Sequence, residues 1–183
     1  MNPAHQLLLL NPKSQSWSPV SGFSTSHSQK LRWEDVASAL SLGKLSPLAY
    51  YLIRAKYCQD ETCIEQLLPL VQKEATRLAR EEKWRTGGDW LLKLSRLACL
   101  EALDSMLCKR CSGRGYNLIG KACPTCRSYG RKPMSARGRY QSIGMDKRNW
   151  ERRWDGRYER LYQVLCNAEN KALAHLNYQL NSE

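Results

Sequence analysis

The 183-residue sequence lacks the features that mark membrane and secreted proteins. None of its apolar runs approaches the roughly 18 residues that cross a bilayer as a helix, and the longest early run is only Leu7 to Leu10. No basic stretch precedes that run, as a secretory signal would require. We therefore expect a cytoplasmic protein with no membrane partner.

The sequence also lacks the residue combinations that are typical of enzyme active sites. The chain has three histidines, of which His5 and His27 lie in a polar N-terminal stretch and His175 has no partner suggested by spacing. No phosphate-cradling glycine loop and no nucleophile elbow is present. These absences predict a protein that is not an enzyme.

Acidic residues are too few to balance the basic ones. The chain has 29 Lys and Arg against 17 Asp and Glu, a formal charge of +12. Residues 109–160 hold fifteen bases and four acids, whereas the other 131 residues hold fourteen and thirteen. A concentrated positive segment beside near-neutral sequence is typical of nucleic-acid binding, because each cation on a phosphate releases counterions. The alternative is a solubilising surface, although such surfaces usually mix both signs.

Helical periodicity dominates the sequence after an N-terminal arm. Residues 1–30 are rich in Ser, Pro, Asn and Gln and predict a flexible arm, so residues 31–183 form the helical domain. A first helix is predicted around residues 33–40, and Ser46 with Pro47 predicts an N-cap and first turn for a second. Pro69 interrupts the next apolar series and predicts either a kink or a new helix start.

Further helix signals flank the cysteine-rich segment. Asp89 predicts the N-cap of an apolar helix that runs as far as Leu107. Ser135 predicts the start of another helix, which Gly144 ends, and Asp146 can cap a long C-terminal helix. The expected fold is all-α, with an inserted four-cysteine zinc-ribbon hairpin over residues 108–130.

Eight cysteines include four in metal-ligand spacing. Cys108, Cys111, Cys123 and Cys126 form the pattern C-x2-C-x11-C-x2-C, in which each C-x2-C turn directs two sulfurs at one point. The pattern predicts one structural zinc ion held by four thiolates, with disulfides or redox chemistry as alternatives. The remaining cysteines fall on or beside apolar helical faces and are predicted to be small buried hydrophobes; they are Cys58, Cys63, Cys99 and Cys166.

Basic residues surround the two helix starts after the zinc segment. Like-charge pairs such as Arg148 and Arg152, four apart on a helix, are mildly destabilising unless phosphates neutralise them. A helix-turn-helix is predicted either at residues 144–146 or, preferably, from the Asp89 and Ser135 helices with the zinc loop between them. The candidate DNA-binding residues are Arg131, Lys132, Ser135, Arg137, Arg139, Lys147, Arg148 and Arg152.

The order of these features resembles a known family. A helical region begins at Trp33-Glu-Asp-Val36 and is followed by the two C-x2-C knuckles. After the knuckles come Gly-Arg-Lys-Pro-Met-Ser-Ala-Arg over residues 130–137 and then a Trp- and Tyr-bearing helix over residues 150–162. Over roughly residues 33–180 the chain is similar to the late-gene antitermination proteins of lambdoid phages, the Q family. The second knuckle departs from the family pattern, which often has a glycine two residues after its last cysteine.

The resemblance implies a sequence-specific DNA-binding protein. Such a protein would recognise a late-promoter site, join paused bacterial RNA polymerase through sigma region 4 and the β flap, and let it read through terminators in the host cytoplasm. Nascent RNA near the exit channel is a further implied partner. The four cysteines named above match the family's zinc ligands, and the helices flanking the zinc loop match its DNA-binding part.

Two other functions fit the residues. A basic zinc ribbon can grip RNA, which would make the chain an RNA-binding regulatory protein. A chaperone-like zinc protein that binds unfolded chains is the other alternative, because similar knuckles occur in the zinc region of the DnaJ chaperones; it would require exposed apolar grooves.

Overall fold

The computed structural model describes residues 38–41, 45–58, 60–87, 89–104, 108, 110–111, 115–116, 120–126 and 134–180. These residues are mostly helical and contain no strand beyond one isolated bridge, which confirms the all-α class. The predicted arm over residues 1–30 lies outside the described residues. None of the helices in the described ranges combines the length and the apolarity needed to span a bilayer.

The helices are labelled in chain order. Residues 38–41 are helical and precede them. The labelled helices are α1 (Pro47–Tyr57), α2 (Glu61–Glu81), α3 (Trp90–Leu103), α4 (Ala136–Ser142), α5 (Lys147–Asn149) and α6 (Asp155–Leu180), with a π-helical turn over Trp150–Trp154 between the last two.

The chain divides into two compact units. The terminal unit comprises the residues up to Leu67 together with those from Leu165 onward, and the central unit is Leu68–Val164. Helices α2 and α6 each contribute residues to both units. The central unit has 22 Lys and Arg against 10 Asp and Glu, whereas the terminal unit has seven of each. The whole net charge of +12 therefore belongs to the central unit.

The start of α1 confirms the predicted cap. Ser46 has an extended backbone, and its side-chain oxygen accepts a hydrogen bond from the Ala49 backbone N–H at 3.3 Å. Pro47 occupies the first turn, where its missing N–H costs nothing because that donor has no partner within the helix. These two residues fix where the chain turns helical.

Pro69 lies inside α2, so the predicted alternative of a new helix starting there is wrong. The proline cannot donate a backbone hydrogen bond. However, Leu67, Val71 and Ala75 continue a single buried face across it, each with no exposed surface. Burial of that face stabilises one continuous helix in spite of the lost donor.

A buried carboxylate lies among the apolar side chains of the terminal unit. Glu169 on α6 accepts hydrogen bonds from Lys56 Nζ at 2.9 and 3.0 Å and from the Tyr57 hydroxyl at 2.5 Å. Tyr57 is fully buried, and Glu169 is 8% exposed. Both donors are needed because an unpaired buried carboxylate would be strongly destabilising. The contact joins residues more than 110 positions apart in the sequence.

Asp60 stabilises the beginning of α2. Its carboxylate accepts from the Thr62 hydroxyl at 2.6 Å and the Thr62 backbone N–H at 3.1 Å, and it pairs with Arg54 at 2.6 Å. The Thr62 side chain, followed by hydrogen bonds from Cys63 and the Arg54 charge, lowers the pKa of Asp60 to about 2. These contacts therefore stabilise the ionised carboxylate.

We expect the contribution of Asp60 to depend on pH. Because its folded pKa lies below the unfolded value of about 3.9, the contribution is present above about pH 4 and is lost as the pH falls toward 2. Replacing Asp60 with alanine should cost about 1 kcal/mol at neutral pH through the lost cap. Thermal unfolding of wild type and Asp60→Ala between pH 7 and pH 2 measures this. The two curves should converge at low pH, and a constant gap would contradict the assignment. Glu65→Gln, an exposed change on the same helix, is the control.

Candidate metal centre and basic surface

The four cysteines of the predicted zinc motif come together in the central unit. Cys108, Cys111, Cys123 and Cys126 are all at most 5% exposed, and their sulfurs lie within 4.8 Å of one another. The Cys108–Cys123 and Cys111–Cys126 sulfur pairs are 3.9 and 3.6 Å apart. A disulfide would need about 2.05 Å, so the predicted alternative of disulfides does not describe this arrangement. The cluster can hold one metal ion.

Local hydrogen bonds shape the two knuckles. The Cys111 backbone N–H donates to the Cys108 carbonyl at 3.2 Å, which closes the first turn. Gly115, at a φ of 81°, donates its N–H to the Cys111 sulfur at 3.3 Å and accepts from the Cys123 N–H at 2.8 Å. The antiparallel bridge between Tyr116 and Ala122 joins the two sides. Of the predicted hairpin, the described residues show this one bridge, which connects the segment after the first knuckle to the start of the second.

The cluster favours the thiolate form at one position. Backbone amides of Cys126 and Thr125, with smaller contributions from neighbouring sulfurs, lower the pKa of Cys123 to about 6. A thiolate is the form of cysteine that ligates a metal. The backbone of the second knuckle therefore favours the metal-binding form of Cys123.

Cys58 and Cys99, outside the cluster, favour the neutral thiol. Burial raises the pKa of Cys99 to about 12 and that of Cys58 to about 11. Cys63 and Cys99 are buried, as predicted, whereas Cys58 and Cys166 are only half-buried. Within the described ranges, no other group of histidines, cysteines or acids converges as the four knuckle cysteines do.

Helix α4 begins where the sequence predicted. Ser135 is its N-cap, and the side-chain oxygen accepts from the Gly138 N–H at 3.1 Å. Gly144, at a φ of 68°, ends the turn after α4, and Asp146 caps α5 by accepting from the Asn149 N–H at 2.8 Å. Ser135 is exposed, as is Arg137, the second residue of the helix. Their exposure leaves both accessible to a ligand.

Arg139 differs from the other candidate DNA-binding residues that the structure describes, because its guanidinium is engaged inside the central unit. It donates to both Glu101 carboxylate oxygens at 2.9 and 2.7 Å and to Glu159 at 2.6 Å, with 11% of its side chain exposed. It also lies over the Tyr158 ring, 4.6 Å from the centroid. Its charge neutralises a buried acid, so Arg139 is the least accessible of the predicted DNA-binding residues that the structure describes.

Sequence reasoning missed the network around Glu101. The Glu101 side chain has no exposed surface and also accepts from the Tyr158 hydroxyl at 2.5 Å. Burial, reinforced by the Glu101 contact, raises the pKa of Tyr158. Burial alone would lower the pKa of Arg139, but its bonds to Glu101 raise it. The network joins α3, α4 and α6 through charge-assisted hydrogen bonds.

Two further arginines on α6 are also partnered. Arg157 donates to the Arg85 carbonyl at 3.3 Å and lies over the rings of Trp84 and Trp154, at 5.6 and 4.8 Å. Arg160 pairs with Glu82 at 3.3 Å. These contacts hold the segment after α2 against α6.

Three further predicted basic residues lie on α5 or in the π turn that follows it: Lys147, Arg148 and Arg152. Lys147 pairs weakly with Glu151 at 3.6 Å, and both side chains are more than half exposed. Arg148 and Arg152 are exposed and have no acidic partner among the described residues. Arg131 and Lys132 lie outside the described residues.

The helix after Asp146 is not regular. The sequence predicted one long α-helix, but Trp150–Trp154 forms a π turn, in which the Asp155 N–H donates to the Trp150 carbonyl. Helix α3 likewise ends at Leu103 rather than extending to Leu107, and the side chain of Asp89 makes no cap hydrogen bond. Neither predicted helix-turn-helix is established by these elements. No protein-family model and no curated protein matches the chain.

Proposed function

We propose that this chain is a zinc-dependent, DNA-binding transcription antitermination factor. It binds a late-promoter site on double-stranded DNA, engages promoter-proximally paused RNA polymerase through sigma region 4 and the β flap, and lets the enzyme read through terminators. The host bacterial cytoplasm is its compartment. One observation carries the proposal: the four-cysteine cluster lies in the same unit that holds the entire net charge of +12.

The donor set favours zinc in a structural role. Four thiolates suit a tetrahedral zinc ion, and a site with four protein ligands leaves no position open for a catalytic water. The ion would join the two knuckles between α3 and α4 and so constrain the segment that leads into the basic surface. Four bound thiolates would contribute about −2 with the ion, leaving the central unit strongly positive.

The basic surface is the proposed DNA contact. Arg148 and Arg152 are exposed and have no acidic partner among the described residues, which favours a polyanion because each phosphate contact releases condensed counterions. Ser135 and Arg137 at the start of α4 are the candidates for base edges, whereas the cations near α5 are suited to the backbone. The proposed set is Arg131, Lys132, Ser135, Arg137, Lys147, Arg148 and Arg152.

We assign the proposed polymerase contact to the terminal unit, because the central unit is assigned to DNA. Its seven bases and seven acids give no net charge, so it does not share the electrostatic preference of the central unit for DNA. The cores of protein–protein interfaces are depleted of charged residues, which makes the unit without net charge the better candidate for a protein partner. Nascent RNA near the exit channel is a further proposed partner.

A readthrough assay tests this function. Purified polymerase is paused on a template that carries a late promoter and a downstream terminator, and full-length transcript is measured with and without the protein. We expect the zinc-loaded protein to increase readthrough and a template with a scrambled promoter-proximal site to abolish the increase. No increase on a template whose site the protein demonstrably binds would contradict antitermination.

An RNA-binding role is supported by one feature of the hairpin. Tyr116 is 51% exposed and can stack on an unpaired base. Competition between duplex DNA and single-stranded RNA of equal length separates the two functions, because the DNA-binding proposal requires that the duplex compete better. The chaperone-like alternative gains no support, since the exposed large apolar side chains among the described residues lie on separate elements; they are Ile64, Leu100, Tyr116 and Tyr178.

A further inference from the structure

An open depression of about 500 Å³ lies beside the π turn of the central unit. Its lining contains three arginines and one carboxylate. All three arginines are exposed, so their guanidinium groups are accessible. The lining residues are Asp146, Arg148, Asn149, Arg152 and Arg153.

The π turn explains why Arg153 belongs to this group. In a regular α-helix, residues five apart project about 140° from each other, so Arg148 and Arg153 would diverge. The wider π turn reduces that angle and turns Arg153 toward the face shared by Arg148 and Arg152. Trp150 and Trp154, which are 0% and 4% exposed, anchor the turn on its buried side. A π turn inside a helix is frequently a functional feature.

The nearby acids already have other partners. The Asp146 carboxylate accepts from the Asn149 N–H, and the Asp155 carboxylate accepts from the Trp150 indole N–H at 2.9 Å. Glu151 faces Lys147 rather than the depression. The three guanidinium groups therefore have no acid devoted to them among the described residues.

The arginines that line the depression also repel neighbouring positive charges. Besides burial, the charge of Arg153 lowers the pKa of Arg157. Arg148 and Arg152 add a like-charge pair four residues apart, which is destabilising in isolation. An anion from outside the chain would relieve both effects, and the planar donor fork of arginine suits phosphate oxygens in particular.

We propose that this depression is a phosphate-binding site in which Arg148, Arg152 and Arg153 hold one backbone phosphodiester of duplex DNA. The contact is independent of base sequence and positions the protein on the duplex. The volume exceeds that of one phosphate group. This inference rests on the DNA-binding part of the proposed function and adds Arg153 and the π turn to it.

Salt-dependent binding of a short random-sequence duplex tests the site. Each phosphate contact contributes about −0.9 to the slope of log K against log salt, or about a 3.5-fold fall in affinity between 50 and 200 mM. We expect Arg152→Ala/Arg153→Ala to lose about one such contact, so its slope is shallower by about 0.9 than that of wild type. The matched control is Arg80→Ala/Arg96→Ala, which removes two exposed charges of the same unit outside the depression and should keep the wild-type slope. Equal thermal unfolding of both variants checks the fold.

A single substitution separates geometry from charge. Arg153→Lys keeps the charge but not the bidentate fork, so its affinity at 50 mM salt should fall between those of wild type and Arg153→Ala.

The outcomes distinguish this inference from the function on which it rests. If wild type binds the duplex and the paired variant keeps the control's slope, the phosphate site is refuted and DNA binding stands. If wild type does not bind the duplex, both the phosphate site and the proposed DNA binding are refuted. If the variant loses affinity for single-stranded RNA but not for duplex, the site is a nucleic-acid contact of another class and the inference fails. If the readthrough assay is negative and the slope changes as expected, antitermination is refuted but the phosphate site and DNA binding stand.

Discussion

Replacing Arg139 with alanine is expected to lower the free energy of unfolding by about 3–5 kcal/mol. The substitution would leave Glu101, whose side chain has no exposed surface, with only the Tyr158 hydroxyl as a partner. A buried carboxylate without its cation is costly because no water replaces the lost contact. Chemical denaturation followed by circular dichroism measures the effect.

Two variants make this expectation specific. Arg137→Ala removes an exposed arginine from the same helix and should change the stability by no more than about 0.5 kcal/mol. The triple variant Glu101→Leu/Arg139→Met/Tyr158→Phe removes the whole polar network and should recover most of the loss, since buried ion pairs are often replaceable by apolar groups. Arg139→Ala as stable as Arg137→Ala would show that Arg139 is not the partner of Glu101.

Loss of the proposed zinc ion is expected to have the other large effect. Binding of structural zinc contributes about 10–16 kcal/mol in small zinc domains, and that free energy is coupled to folding. The hairpin around Cys108–Cys126 has only one antiparallel bridge among the described residues, so the metal would supply most of its stability. Cys123→Ser should therefore abolish binding of one zinc per chain and lower the unfolding temperature.

The control for this experiment is another cysteine. Cys58→Ser changes a half-buried thiol whose pKa is raised to about 11 and should retain one zinc per chain. Elemental analysis and thermal unfolding of the two variants give the answer. A Cys123→Ser protein that keeps stoichiometric zinc and the wild-type unfolding temperature would contradict a four-thiolate site.

Local signals in the sequence were sufficient for part of this structure. The caps at Ser46, Ser135 and Asp146 depend on a side chain and a backbone donor three residues later, so sequence alone predicts them. The cysteine cluster is similar, because each C-x2-C knuckle is a short turn and the hairpin needs only a few residues to join the two. All four predicted ligands converge.

Contacts between residues far apart in the sequence could not be predicted from such local signals. Arg139 and Glu101 are 38 positions apart, and no spacing rule pairs them. The only cue is that Glu101 follows an apolar helical run, which is an unusual place for an acid. The position of Arg139 beside the predicted start of the Ser135 helix favoured a DNA contact, and its internal partner Glu101 could not be foreseen.

The π turn was also invisible in the sequence. Trp150, Trp154 and Tyr158 recur every four residues, which a regular α-helix satisfies as well as an interrupted one does. Both tryptophans are buried in the central unit, and tertiary packing can override local periodicity. The grouping of Arg148, Arg152 and Arg153 follows from that turn.

Equilibrium binding of duplex DNA to zinc-loaded and zinc-stripped protein tests the central claim most directly. Fluorescence anisotropy with a labelled late-promoter fragment should show binding by the loaded protein that weakens steeply with salt, little binding after chelation, and recovery when zinc is restored. A stripped protein that binds the fragment with the same affinity and the same salt dependence would contradict the account.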